Sequence, residues 1–318
     1  MDADLVTLLK EDEPGARPRE DFPELVARLS QLSVTKHYDA YADVPWDDPQ
    51  SRIDAADPIW ELGGEHPLGA SAWYAAQPAA ARARIGLHFV VSAMHTGGEF
   101  ENVLTRGLLG FALTLPPDAP EGRYAYHEII EESQHTLMFR EFVRRTGLDP
   151  GRAPFLVRVG RGRVIALARR FPELFFFFVL GGEDPIDYVQ RGMLRSGRPV
   201  HPLLRRIMQI HVTEEARHLC FARAYLHARV PALPRRRRLQ LALTAPLALW
   251  SVARRMLDPP RAVARAAHIP RAVLLAYRRS PQQRERLRES LGKARALCAE
   301  LGLLTPAARA IWRGLGIA

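Results

Sequence analysis

From about residue 66 to Val230, apolar side chains recur at three- and four-residue intervals, the spacing that lines one face of an α-helix. The pattern predicts helices over 69–81, 82–115, 122–146, 161–196 with a break near Pro172, and 200–230. Between them stand stop and turn signals: Pro116 and Pro117, Gly147 and Pro150, Gly197 and Pro199, Pro231 and Pro234. No run alternates apolar and polar residues for long enough to suggest a strand. The first 65 residues form an irregular lead-in punctuated by Pro14, Pro18, Pro23, Pro45, Pro49 and Pro58, with amphipathic pieces such as 24–32. Beyond Pro234 shorter helical pieces follow, cut by Pro246, Pro259, Pro260, Pro270, Pro281 and Pro306. No internal repeat or low-complexity tract is present. The expectation is one all-α domain over 1–318, made of the lead-in (1–65), a helical bundle (66–230) and a helical C-terminal part (231–318).

Four of these helices break the amphipathic rule. A carboxylate inside an apolar stripe costs free energy unless it is neutralised or paired. In the helix over 200–230 the stripe runs Leu204, Met208, His211, Glu215, His218, Ala222, Tyr225. At about 100° per residue, His211, Glu215 and His218 fall within an arc of roughly 60°. In the helix over 122–146 the stripe Glu128, Glu132, His135, Phe139, Phe142 carries a second Glu-x-x-His, with Glu131 beside it but off the stripe. Glu101 interrupts Val90, Met94, Gly97, Leu104 and Leu108, whereas Glu99 aligns with His95, Asn102 and Arg106 on a face that reads as solvated. Glu183 interrupts Phe176, Val179 and Ile186, with Asp184 one step off the stripe.

In chain order the interruptions read Glu, Glu-x-x-His, Glu, Glu-x-x-His. This is the ligand set of a dinuclear carboxylate site in a ferritin-like four-helix bundle, where facing helices hold two metal ions. Oxygen and imidazole donors without thiolate suit iron or manganese better than zinc or copper(I). Any one of these residues alone reads more simply as a core histidine or a glutamate paired with an arginine. The four together point to a metal site.

Composition adds one feature. The chain has 45 basic and 35 acidic residues and a formal charge of +10, which raises nucleic acid or an anionic membrane as a partner. The excess is local: 1–231 is slightly acidic, and 232–318 holds the whole surplus, mostly as arginine. Those arginines alternate with leucine and alanine at helical spacing, as in Arg284, Arg288 and Arg295 around Leu287, Leu291 and Leu297, and read as solvated faces of helices packed on the bundle. Neither nucleic acid nor membrane is therefore the expected partner; docking of an acidic electron donor is a second use for such a surface. Two cysteines, Cys220 and Cys298, make no disulfide framework, and the opening MDADLVTLLKEDEPG carries acids where a signal peptide has basic and then apolar residues. The expectation is a reducing cytoplasm, with Cys220 an inert buried thiol. The longest weakly polar stretch, 239–252, contains Pro246 and is well short of the roughly 20 residues that span a bilayer.

His211 distinguishes the pattern further. A ferritin-like site needs only Glu215 and His218 from its last helix; His-x-x-x-Glu-x-x-His raises the protein ligands to seven and resembles the AurF family of di-iron N-oxygenases. The segments Pro45-Trp46-Asp47, Asp57-Pro58-Ile59-Trp60 and Leu68-Gly69-Ala70 with Trp73 also resemble that family's N-terminal region. The resemblance implies two iron ions, with manganese also accommodated, and O2 as cosubstrate. Glu132 and Glu215 would bridge, Glu101 and His135 would complete one iron, and Glu183, His211 and His218 the other. It implies N-oxygenation of an amine, an arylamine above all, through hydroxylamine and nitroso stages to nitro, in natural-product biosynthesis, and a homodimer. Electrons would come from an external ferredoxin or reductase, since the chain has no dinucleotide fingerprint after a strand and no cysteine cluster. Carbon hydroxylation, desaturation and ferroxidation are the alternatives on the same site. Asp184, Asp187, Glu128 and Tyr188 are the residues expected to orient the histidines.

Overall fold

The computed structural model describes residues 21–151, 155–259 and 261–318, and side chains from 162 onward in the helix that starts at Phe155. Pro14, Pro18, the acidic opening and Pro260 lie outside the described residues. All described regular structure is helical, with no strand among the described residues. The lead-in contributes α1 (Phe22–Thr35), capped by Asp21, two short 3-10 turns at Pro49–Ser51 and Pro58–Trp60, and the single turn α2 (Ala72–Ala75). The bundle helices follow: α3 (Ala79–Ala112), α4 (Pro120–Thr146), α5 (Phe155–Arg170), α6 (Pro172–Arg195) and α7 (Pro202–Arg229).

Proline and glycine punctuation sets most of these boundaries. Pro120, Pro172 and Pro202 stand in the first turn of α4, α6 and α7, where a missing N–H costs nothing. Gly147 ends α4 at φ 64°, a left-handed conformation that glycine adopts without Cβ strain. The break expected near Pro172 falls at Phe171, between α5 and α6. The predicted junction between 81 and 82 instead lies at Pro78: its ring fixes φ at −54° and starts α3.

The C-terminal part is helical: α8 (Arg235–Leu257), α9 (Arg261–Ala266), α10 (Arg271–Arg279), α11 (Pro281–Ser290), α12 (Gly292–Glu300) and α13 (Pro306–Gly314). Pro246 was expected to cut α8 and does not; it is buried within a continuous helix. An interior proline costs about 3 kcal/mol, and the packing of α8 along α6 offsets it. That packing is close: a Cβ on Gly181 would lie 3.0 Å from the Leu249 Cα. α6 likewise runs through an interior proline, Pro185.

The core has two main apolar clusters, and they sandwich a polar layer along the bundle. One includes Phe100 and Leu104 of α3, Tyr124 of α4, Phe176 to Leu180 of α6, and Phe221 and Tyr225 of α7. It continues into Leu241, Leu249, Leu297, Trp312 and Ile317, so the basic C-terminal helices bury their apolar faces against the bundle. The other includes Met94, Met138, Phe139, Phe142, Ile207 and Met208, together with Trp46 and Trp60 of the lead-in. Between them, on four helices, lie the acids and histidines that interrupt the stripes.

Candidate metal centre

Seven interrupting residues meet in this layer. Glu101 comes from α3, Glu132 and His135 from α4, Glu183 from α6, and His211, Glu215 and His218 from α7. None exposes more than 1% of its surface. Their donor atoms converge in overlapping groups: Glu101, His135 and His211; Glu132, His135 and Glu215; Glu183, His211 and Glu215; and Glu128, Glu132 and His218. Within each group the donor atoms lie within 4.8 Å of one another. His135 Nδ1 is 3.4 Å from Glu132 and 3.5 Å from Glu215. His218 Nδ1 is 3.1 Å from Glu132 and 3.2 Å from Glu215. Glu132 and Glu215 therefore sit at the middle of the cluster, facing both imidazoles. His211 Nε2 lies 3.5 Å from Glu101 and 3.8 Å from Glu215, and its ring centroid is 4.6 Å from that of His135. His211 thus stands beside Glu101 as well as Glu183, while His218 is grouped with Glu132 and Glu128.

Burial and direction distinguish Glu101 from Glu99. Glu101 is 1% exposed and joins the cluster, its Oε2 accepting a hydrogen bond of 3.0 Å from the Thr136 hydroxyl. Glu99 is partly exposed and lines a cavity of about 210 Å³ on the other side of α3.

The histidines are held by residues absent from the expected set. His135 Nε2 lies 2.8 Å from Glu214 on α7, and His218 Nε2 lies 2.7 Å from Glu131 on α4. These bonds cross between the helices and are reciprocal: the acid just before the central glutamate of each helix holds the imidazole of the other. The pairs 131 with 218 and 135 with 214 also show that α4 and α7 run antiparallel. With Nε2 engaged, each ring turns Nδ1 towards the central carboxylates. Arg217, 1% exposed, bridges the two supporting acids, at 2.7 Å from Glu131 and 3.6 Å from Glu214. Glu214 also accepts a hydrogen bond of 3.2 Å from the Tyr38 backbone N–H, which joins the lead-in to the site.

Of the residues expected to orient the histidines, none does so. Asp184 pairs with Arg223, Asp187 accepts a 2.6 Å hydrogen bond from Arg191, and the Tyr188 hydroxyl donates to Glu289. Asp184 reaches across to α7 but meets an arginine there, Asp187 is held along its own helix, and Tyr188 turns to the C-terminal part. Glu128 is inside the cluster itself. The repeat of adjacent acids, Glu131-Glu132 and Glu214-Glu215, was the available signal for the true supports. Cys220, expected buried, is only partly so.

The electrostatics match a cation site. Burial pushes the Glu101 and Glu183 carboxyls well above the usual carboxylate range, with neighbouring acids adding to the effect; burial also raises Glu215. Glu132 goes the other way, because hydrogen bonds from His135 and His218 outweigh its burial. His211 is pushed down by burial and by His135. Both Glu183 oxygens, Glu101 Oε1, Glu215 Oε2 and both His211 ring nitrogens are buried without a hydrogen-bond partner. Buried polar atoms in native proteins are almost always satisfied. Two divalent cations would neutralise the carboxylates and take up these lone pairs, and the all-oxygen and imidazole donor set suits iron or manganese. The residues fit a metal pair.

Comparison with known proteins agrees with this geometry. A sequence model of the family described as p-aminobenzoate N-oxygenase AurF matches residues 19–302. The chain is 38% identical over 294 residues to proteins of Mycobacterium tuberculosis and Mycobacterium bovis described as uncharacterized, covering 92% of this chain and 86% of theirs. No solved structure gives a significant match.

Proposed function

Because the chain belongs to the AurF family of oxygenases, we propose that it is a di-iron enzyme that uses O2 to oxidise the nitrogen of an amine, an arylamine in the first instance. The observation that carries this reading is the buried set of seven donors, with His211 as the third imidazole. Glu101, Glu132, His135, Glu183, His211, Glu215 and His218 would hold the two ions. Bound there, the iron pair supplies the electrons and the Lewis acidity with which O2 is activated.

The chain's own groups do the rest. Glu131 and Glu214 keep His218 and His135 turned inward, and Arg217 balances the charge of these two supports. Thr136 holds one Glu101 oxygen and leaves the other free. Electrons come from a separate reductase or ferredoxin.

The test is reconstitution with Fe(II), reduction, and admission of O2 with a panel of aminoarenes, following O2 consumption and hydroxylamine, nitroso and nitro products. Two irons per chain and amine-dependent O2 consumption with N-oxidised product are expected. Fewer than two irons, or oxidation at carbon alone, overturns the reading.

A further inference from the structure

We propose that Glu128 is an eighth protein ligand of the metal pair, binding the ion on the His218 side. This rests on the di-metal reading of the site and extends it to a residue outside the seven.

The position follows from the near-symmetry of α4 and α7. On α7 the donors stand at His211, Glu215 and His218, with the supporting Glu214 next to the central glutamate. On α4 the same spacing gives Glu128, Glu132 and His135, with Glu131 next to the central glutamate. The crossed bonds, Glu131 to His218 and Glu214 to His135, relate the helices by an approximate two-fold through Glu132 and Glu215. That relation carries His211 onto Glu128. His211 stands one turn beyond the level of His135 and joins it in a donor group with Glu101; Glu128 stands one turn beyond the level of His218 and joins it in a group with Glu132.

Glu128 is 1% exposed, and its Oε2 is buried with no hydrogen-bond partner. Arg217 is turned to Glu131 and Glu214. An unpaired buried carboxylate is costly. A donor atom of Glu128 lies within 4.8 Å of donors on both Glu132 and His218, so a small movement of the side chains brings all three to the roughly 2.0–2.2 Å typical of carboxylate and imidazole ligands. Glu128 would then join Glu132 and His218 on one ion, from the place on α4 that His211 occupies on α7.

Anaerobic Mn(II) titration followed by electron paramagnetic resonance, and Co(II) titration followed by visible absorption, test this in the full-length protein, with Glu128→Gln and Glu128→Leu beside the wild type. The wild type is expected to bind two ions. Both variants should keep one ion and bind the other at least tenfold more weakly, with the Co(II) bands of one site altered. Glu128→Leu should also hold or raise the melting temperature of the protein without added metal, a readout that excludes misfolding as the cause. Two ions in both variants with affinities within twofold of wild type overturn the role of Glu128 and leave the di-metal reading standing. Fewer than two ions in the wild type overturn both.

Discussion

The two helix pairs that build the centre, α3 with α4 and α6 with α7, present nearly the same chemistry from different surroundings. Each offers one glutamate and then Glu-Glu-x-x-His, and each central glutamate faces both imidazoles. They differ one turn before the central glutamate, where α4 carries Glu128 and α7 carries His211, and in what covers them. The Glu183 side is walled by Phe176 to Leu180 and by α8, whereas α4 is tied to the lead-in through polar contacts such as Arg145 to the Trp46 carbonyl and to Asp47. The equivalence shows that the ligand layer depends on spacing along each helix. The difference marks where the two proposed metal positions would become unlike.

The equivalence breaks most sharply at its centre. Glu132→Ala and Glu215→Ala should each abolish binding of both ions, since each residue contacts both sides; metal analysis of the purified variants checks this, and one retained ion in either would show that its carboxylate does not bridge. The crossed supports should have smaller and matching effects. Glu131→Gln and Glu214→Gln are expected to weaken metal binding about 10- to 100-fold, read by the same titrations. A clear inequality would mean that the reciprocity of the two bonds is geometric only. Next comes stability: at about a hundredfold excess over the dissociation constant each ion should add about 2.7 kcal/mol, so calorimetry with and without Mn(II) should show a rise of roughly 5 °C or more. Glu128→Leu should narrow that gap.

The smallest effect lies on the surface of α4. Arg144 and Arg145 hold the Glu141 carboxyl down at about 2, against an ordinary 4.5. A carboxyl depressed in the folded protein contributes stability that is complete above about pH 4.5 and is lost as the pH falls towards 2. Because Arg144 is largely exposed, the contribution is at most about 1 kcal/mol. Glu141→Gln should lower the melting temperature by a degree or two at pH 7 and leave it unchanged near pH 2, and an equal loss at both would remove the ion pair as its cause.

Much of this site was legible along the chain because helical periodicity is local. Glu101 could be separated from Glu99, and Glu183 from Asp184, simply by asking which shared a face with leucine, valine and phenylalanine. The same reasoning set Glu131 aside, correctly placing it off the stripe, and thereby missed its role: a residue 100° from the ligand face is where a neighbouring helix is reached. Glu214 was missed for the same reason, and Arg217 because a buried arginine has no periodic signature apart from its partners. The basic C-terminal part was legible as helices with solvated arginine faces, but not that α8 would run through Pro246, since only its packing against α6 offsets the lost backbone bond.

By itself, then, the sequence determined an all-helical chain, four helices with acids or histidines in their apolar faces, and the seven residues of the candidate metal centre. Those follow from the 3.6-residue turn, which acts within a single helix. Only the tertiary structure decided which histidine is held by which acid, and that Arg217 links the two supports. These depend on the antiparallel crossing of α4 and α7, a relation between segments some 80 residues apart that no spacing within either one encodes.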